Sequence, residues 1–479
     1  MKAIIHISNG TREKLVGQLG NVLIQFHGKK AVNRLLRIAE KLDRDNVYGH
    51  AIDAIKKAFA ADHPYLKFLD ILAEVNPLCR KRLINNFFIN AVFRGNTQRK
   101  NFAKEHNISE PFFFVVSPTM RCNLHCVGCY AGNYGPRDEL SFETVDRILT
   151  DAKTMGIYFV TVSGGEPFIR KDLLQLFGKH DDIYFQVFTN GTLIDAQLAE
   201  EIAGLGNIAP VLSCEGLQQE TDYRRGRGTF QKIMDAMDYL KKAGVIFGIS
   251  TVAASYNYST LMRDQFYNLL LEKGVLFGWF FQYVPIGLNP DPKLMLNPRQ
   301  RIGLHEKIKE IRSSYPIFLI DFWNDGPYVD GCLAGARSGG GYFHINANGD
   351  IEPCVFVHFA VDNIKNIYHR GGHLWDALNS RLFKEIRSGQ PWNTNHQMPC
   401  MVIDNPGCLR NIVKKTEASP THQNAESIVE DPDIVSHLNT YSINMQDSLK
   451  NMDVGLLKRS KSFDCIYTQG HNKLRTRPL

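Results

Sequence analysis

From residue 111 to about residue 287 the chain keeps one rhythm, a short apolar run, a loop and a helix-like stretch, repeated about six times. FFFVVS (112–117), YFVTVSGGEP (158–167), YFQVFTNGT, APVLSCEG, VIFGISTVAAS and LFGWFFQYVPIG read as strands. Between them, SFETVDRILTDAKTMG, AQLAEEIAGLG and FQKIMDAMDYLKKAG read as helices, the first with Ser141 as N-cap and Gly156 as its end. Continuous apolar strands alternating with helices build a parallel sheet covered by helices, open or closed as a barrel. Chemistry in such folds collects in the loops at the carboxyl ends of the strands. A loop with three cysteines, GGEP, TNGT, SCEG and YVPIG all fall at such ends, which makes them candidates for one shared site.

The flanks differ. Residues 1–108 lack strand alternation and read as a helical segment, with Leu35, Leu36, Ile38 and Leu42 on one helix face. Its KRLINNFFINAVFRG stretch reads as a cap on the next domain, or as a surface that meets lipid. The rhythmic core is expected to span 109–290 and a cysteine-containing extension 291–415. Residues 416–479 are sparse in apolar residues and are expected to form a polar, weakly ordered tail.

Composition narrows the class. With 56 Lys+Arg against 49 Asp+Glu the formal charge is +7, mild for 479 residues, and it indicates no nucleic-acid partner. No run of about eighteen apolar residues occurs, so no membrane span is expected; a peripheral membrane contact stays open. The start, MKAIIHISNGTREKL, lacks a secretory apolar core, which points to the cytoplasm and to reduced thiols. Clustered cysteines then read as metal ligands rather than bridges.

TMRCNLHCVGCYAG places Cys122, Cys126 and Cys129 in a C-x3-C-x2-C pattern. A structural zinc site takes four ligands. A [4Fe–4S] cluster takes one thiolate per iron, so three thiolates leave one iron open to a ligand. On spacing alone, a partial zinc site and a chance cluster remain open. CNLHCVGCY after one strand and GGEP after the next, 42 residues from Cys122 to Gly164, resemble the radical S-adenosylmethionine (SAM) family. The resemblance covers roughly residues 110–290. It implies a partial (β/α)6 parallel barrel in which Cys122, Cys126 and Cys129 hold the cluster and Gly164, Gly165 and Glu166 receive the SAM amino group. It further implies that Asn190, Ser213 and Glu215 touch the ribose or methionine part, and that Arg225 in YRRGRGTF meets the SAM carboxylate; a solvated basic loop is the alternative for the last. One departure is Gly128 before the third cysteine, where the family usually has an aromatic; Tyr130 is the candidate shield. The resemblance implies reductive cleavage of SAM and hydrogen abstraction from an unactivated carbon.

Cys332, Cys354, Cys400 and Cys408 follow the core, with GDIEPC after a hairpin-like GGGYFHINANGD. They resemble, in part, the SPASM or twitch extensions that bind auxiliary Fe–S clusters. One auxiliary cluster on these four thiolates is expected, with zinc or no metal as alternatives, Cys408 as the weakest ligand, and His358 and His396 as spares. Cys79, Cys214 and Cys465 read as free thiols. The expected function is a radical SAM enzyme acting on a peptide or cofactor-precursor substrate, with an electron donor such as a ferredoxin or flavodoxin. A lipid substrate, or a non-catalytic Fe–S scaffold, is the alternative.

Overall fold

The computed structural model describes residues 71–131, residue 73 excepted, and 139–456. The helix expected around Leu35 to Leu42, the final basic stretch and Cys465 lie outside the described residues. The architecture is a mostly parallel α/β sheet wrapped by helices. Its strands are β1 (Phe114–Val116), β2 (Phe159–Val162), β3 (Tyr184–Thr189), β4 (Ile208–Ser213), β5 (Gly248–Ala253) and β6 (Phe277–Gln282). They lie side by side in chain order, each parallel to the next. The crossovers carry α1 (Phe142–Thr154), α2 (Asp172–Lys179), α3 (Ala196–Leu205), α4 (Gln218–Arg225), α5 (Thr229–Lys242) and α6 (Asp264–Glu272).

Local signals set these elements. Ser141 caps α1 by accepting from the Thr144 amide, and Asp195 caps α3 by accepting from Leu198. Alternate strand residues face two different environments. Phe114, Val116, Val160, Val162, Phe185 and Val187 join the buried core under the helices. Their neighbours Val115, Thr161, Gln186 and Phe188 line an interior cavity.

The extension is not a separate lobe. β7 (Phe318–Asp321) pairs parallel to β6, and β8 (His344–Ile345) pairs parallel to β1, followed by antiparallel β9 (Ile351–Glu352). Thus the boundary expected at residue 290 falls inside one continuous sheet. The reason is that both edges of the six-stranded core carry unpaired backbone groups, which the extension satisfies. A buried chain of side chains reinforces the β1–β8 seam: Ser117 to His344 Nε2 at 2.8 Å, and His344 Nδ1 to Glu352 at 2.6 Å.

The KRLINNFFINAVFRG stretch winds as an α-helix over Pro77–Arg82, a π-helix over Leu83–Arg94 and a further α-helix over Gly95–His106. It caps the amino ends of the strands. Asn86 donates to the carbonyls of Asp181 and Ile183, and Phe87 packs edge-on against Phe112 and Phe159. Much of the aromatic patch that suggested lipid is therefore turned into the protein, with Phe88 left exposed.

The expected weakly ordered tail needs correction as far as residue 456. A helix, Pro432–Leu456, packs on the helices Pro298–Ser314 and Pro406–Thr416. Its apolar residues are few, but Ile434, Leu438, Tyr441, Met445 and Leu449 recur every three or four positions and are all buried. Sparse composition concealed one complete apolar face. Beneath it, the fully buried Arg301 and Asp404 form an ion pair. Leu438→Ala should lower stability by about 2–5 kcal/mol, read as a drop in thermal midpoint; an unchanged midpoint would mean that this helix is not docked.

Candidate functional site

The cysteine loop and the loop after β2 are built against each other. The amides of Gly165 and Glu166 donate to the carbonyls of Thr119 (3.0 Å) and Arg121 (2.8 Å). A Cβ on Gly164, at φ +113°, would stand 2.3 Å from the Thr119 oxygen, and one on Gly165 would stand 2.2 Å from the Arg121 oxygen. The two glycines are thus required by this backbone contact, rather than only by a ligand.

One cavity of about 340 Å³ opens beside these loops at the carboxyl ends of the strands. Cys122, Cys126, Cys129, Gly164, Gly165, Asn190, Ser213 and Arg225 all line it. Eight expected site residues from five separate segments thus share one space. The Asn190 side-chain nitrogen Nδ2 lies 3.8 Å from the Cys122 sulfur, and an Arg225 guanidinium nitrogen 3.8 Å from the Cys126 sulfur. Burial pushes the Cys129 thiol above its ordinary pKa, so a thiolate there calls for a bound cation. Among the described residues, no three His, Cys, Asp or Glu side chains are gathered as they would be around a single metal ion. Three cysteines of one loop around one cavity suit a multi-iron cluster, in which each thiolate meets a different iron.

Two of the expected residues sit elsewhere. Glu166 is fully buried and does not line the cavity. One carboxylate oxygen accepts from the Phe168 amide (3.1 Å) and the Thr189 hydroxyl (2.8 Å), the other from the Asn190 amide (2.7 Å). It ties GGEP to TNGT, and burial pushes its pKa up against those three bonds. Glu215 is also fully buried and away from the cavity. It accepts from Arg224 (3.0 Å), Arg225 (2.9 Å) and the Val252 amide (2.9 Å). Despite burial, the two guanidiniums hold its carboxyl below the ordinary carboxylate range.

Arg224 escaped the sequence reading, although it stands beside Arg225 in YRRGRG. It lines the cavity and donates to the carbonyls of Val127 (3.1 Å) and Gly128 (3.2 Å), while its own carbonyl accepts from the Val127 amide (2.8 Å). Tyr283, in YVPIG, was missed as well. Gly128 sits at φ +64°, and a Cβ there would meet the Tyr283 ring at 2.6 Å. The space beside Gly128 is therefore filled by an aromatic from the end of β6. Tyr130 does line the cavity, with its hydroxyl 2.8 Å from Ser163.

A second, smaller cavity of about 30 Å³ is lined by Cys332, Cys354 and Cys400, with Trp323, Tyr342 and Phe356. Cys408 does not line it, so the expected four-thiolate set is corrected to three. Cys408 belongs to the first turn of the helix Pro406–Thr416, carried past the cavity after the Cys400–Asn405 turn. The spare histidines are also elsewhere: neither His358 nor His396 lines this cavity, and His358 bonds to the Val355 carbonyl and to His422. Burial pushes the Cys400 thiol up to about 12 and raises Cys354 further, which again suits thiols that ionise only on a metal. Cys79 and Cys214 are buried free thiols, bonded to the carbonyls of Ala203 and Gly216.

With this geometry in place, residues 116–262 match the model of the radical SAM superfamily. The Fe-coproporphyrin III synthase of Methanosarcina barkeri is 28% identical over 60% of this chain and 79% of its own. The mycofactocin maturase MftC of Mycobacterium tuberculosis is 28% identical over 60% of this chain and 75% of its own. Among solved structures, Streptococcus suis SuiB bound to its precursor peptide SuiA aligns with a TM-score of 0.50 at 22% identity, over 63% of this chain and 72% of that one. That likeness is one of fold.

Glu166→Gln separates tying the loops from binding a ligand. The amide replaces an acceptor oxygen with a donor facing backbone N–H groups. It should lower the thermal midpoint without any SAM present, by an amount equivalent to about 1–3 kcal/mol. An unchanged midpoint in the ligand-free protein, with SAM affinity alone reduced, would return Glu166 to the ligand.

Proposed function

The chain belongs to the radical SAM superfamily and is an enzyme that works with a [4Fe–4S] cluster and SAM, and from that premise we propose that it abstracts hydrogen from an uncharged, apolar or aromatic part of a peptide. Cys122, Cys126 and Cys129 hold the cluster. When bound, cluster and SAM supply reductive cleavage of the sulfonium and hydrogen abstraction from carbon. Gly164, Gly165, Asn190 and Ser213 line the SAM end of the cavity. Arg224 and Arg225, set by Glu215, bring positive charge to the same end, where a carboxylate is received. Tyr130, Tyr283 and Leu288 line the cavity beside the cysteine loop. Cys332, Cys354 and Cys400 hold an auxiliary cluster, and a ferredoxin- or flavodoxin-like protein supplies the electron.

The observation that carries the substrate class is the lining beyond the cysteines. It includes Phe113, Val115, Phe188, Trp279, Phe281 and Phe322, with Thr161, Gln186, Ser250 and Gln282 among its polar members. Gln186 Nε2, Gln282 Nε2 and Trp279 Nε1 are buried without a hydrogen-bond partner among the described residues. Among the described lining residues there is no Lys, Asp or Glu, and His125, Arg224 and Arg225 stand at the cysteine-loop end, away from this aromatic wall. A tetrapyrrole, such as the Methanosarcina relative's name indicates, presents carboxylates that this wall does not neutralise. A peptide side chain with a nearby amide carbonyl matches these N–H donors on an aromatic wall. The maturase name of MftC and the precursor peptide in the SuiB structure agree with that reading.

Anaerobically reconstituted protein should cleave SAM to 5′-deoxyadenosine. Replacing Cys122, Cys126 and Cys129 together by Ala should abolish cleavage and leave roughly half the iron, held by the second thiol group. Full cleavage by the triple variant overturns the first assignment; iron at background overturns the second. Iron coproporphyrin III, titrated by absorbance into the reconstituted enzyme, should show no saturable binding. Saturation would replace the peptide reading with a tetrapyrrole one.

A further inference from the structure

The two cavities are neighbours. Phe322, Tyr342 and Phe356 line both, so one aromatic wall separates the substrate chamber from the three-thiol pocket of the extension. Tyr342 differs from the other two in carrying a hydroxyl, which lies 2.9 Å from the Cys354 sulfur. Its ring is 2% exposed and stacks on Phe113, with centroids 5.0 Å apart and planes 7° from parallel. Phe113 is itself part of the chamber wall. The hydroxyl is thus aimed at sulfur by a ring fixed from the chamber side.

Other groups around the pocket point the same way but more weakly. The Phe356 amide lies 3.5 Å from the Cys354 sulfur and the Val402 amide 3.3 Å from the Cys400 sulfur. The indole nitrogen of Trp392 is buried without an oxygen or nitrogen partner and borders Cys332. A cysteine bound to iron is a thiolate, so the phenol is the donor of the Tyr342–Cys354 pair. Hydrogen bonds donated to ligand sulfurs stabilise the more negative, reduced state of an iron–sulfur cluster and raise its potential.

Resting on the reading that Cys332, Cys354 and Cys400 hold an auxiliary cluster, we propose that Tyr342 sets the potential of that cluster by donating its hydroxyl hydrogen to the Cys354 sulfur from the wall it shares with the substrate chamber. It is a positioning and redox-setting residue, not an iron ligand. Two ligands of a cubane sit on different irons, and an oxygen 2.9 Å from a ligand sulfur is too close for that.

The test uses the full chain in which Cys122, Cys126 and Cys129 are all Ala, so that only the second site carries iron. After anaerobic reconstitution, the potential of the cluster is titrated and followed by electron paramagnetic resonance. Adding Tyr342→Phe keeps the ring and removes the hydroxyl. The expected result is a more negative potential by about tenfold in the one-electron equilibrium, roughly 59 mV. Phe113→Leu in the same background loosens the stack and keeps the hydroxyl; its potential should shift less than that of Tyr342→Phe. Equal potentials in parent and Tyr342→Phe overturn the proposal. So does an equal shift in Phe113→Leu, which would assign the effect to packing, and so does loss of iron from Tyr342→Phe alone, which would make the phenol part of the holding set. A parent triple variant without iron overturns instead the auxiliary cluster itself, and is told apart because no potential exists to compare.

Discussion

A carboxylate with no exposure to water must have its charge answered, and Glu215 answers it with two arginines and a strand amide. That requirement organises the site. Arg224, held by Glu215, donates its other N–H groups to the cysteine-loop carbonyls of Val127 and Gly128, which ties its helix to that loop. Arg225, held by the same carboxylate, is brought next to the Cys126 sulfur. A single buried anion just past the end of the fourth strand therefore positions cation, helix and thiol loop together. Removing its charge would leave two guanidiniums in low dielectric with no partner of equal strength.

Much of this was legible from residue types and spacing. The parallel sheet followed from apolar runs between helices, and the Ser141 cap follows from local hydrogen bonding that tertiary context does not overrule. The grouping of Cys122, Gly164, Asn190 and Ser213 followed because parallel strands present their carboxyl ends on one side. What did not follow was side-chain direction at the ends of those strands. Glu166 and Glu215 stand in the expected loops, yet both turn back into the protein, because backbone amides and arginines nearby outcompete the cavity for them. Arg224 and Arg225 are adjacent, and nothing local says that both face inward. Cys408 failed for a similar reason: eight residues past Cys400 is close in sequence, but a turn and a helix start lie between them.

The extension shows a different limit. Its strands β7 and β8 are short and carry little periodicity, so they read as connection rather than sheet. They form because the long sheet before them has two edges to fill, a demand that arises only after the core is assembled. Ser117, His344 and Glu352, aligned across the β1–β8 seam, then convert a backbone pairing into a side-chain one. The seam also brings Tyr342, two residues ahead of His344, to the edge of the chamber.

The docked helix Pro432–Leu456 bears on the order in which the protein is made. Its Tyr441 lies beside the Arg301–Asp404 pair, and Ser442 donates to the Asp404 carbonyl. Asp404 in turn accepts from the amide of Cys400, one of the three thiols of the second pocket. Cys332, Cys354, Cys400 and Asp404 are all synthesised before this helix, but Ser442, which bonds the Asp404 carbonyl, leaves the ribosome later. The Asp404 that holds the Cys400 amide is therefore fully packed only once synthesis has passed this helix.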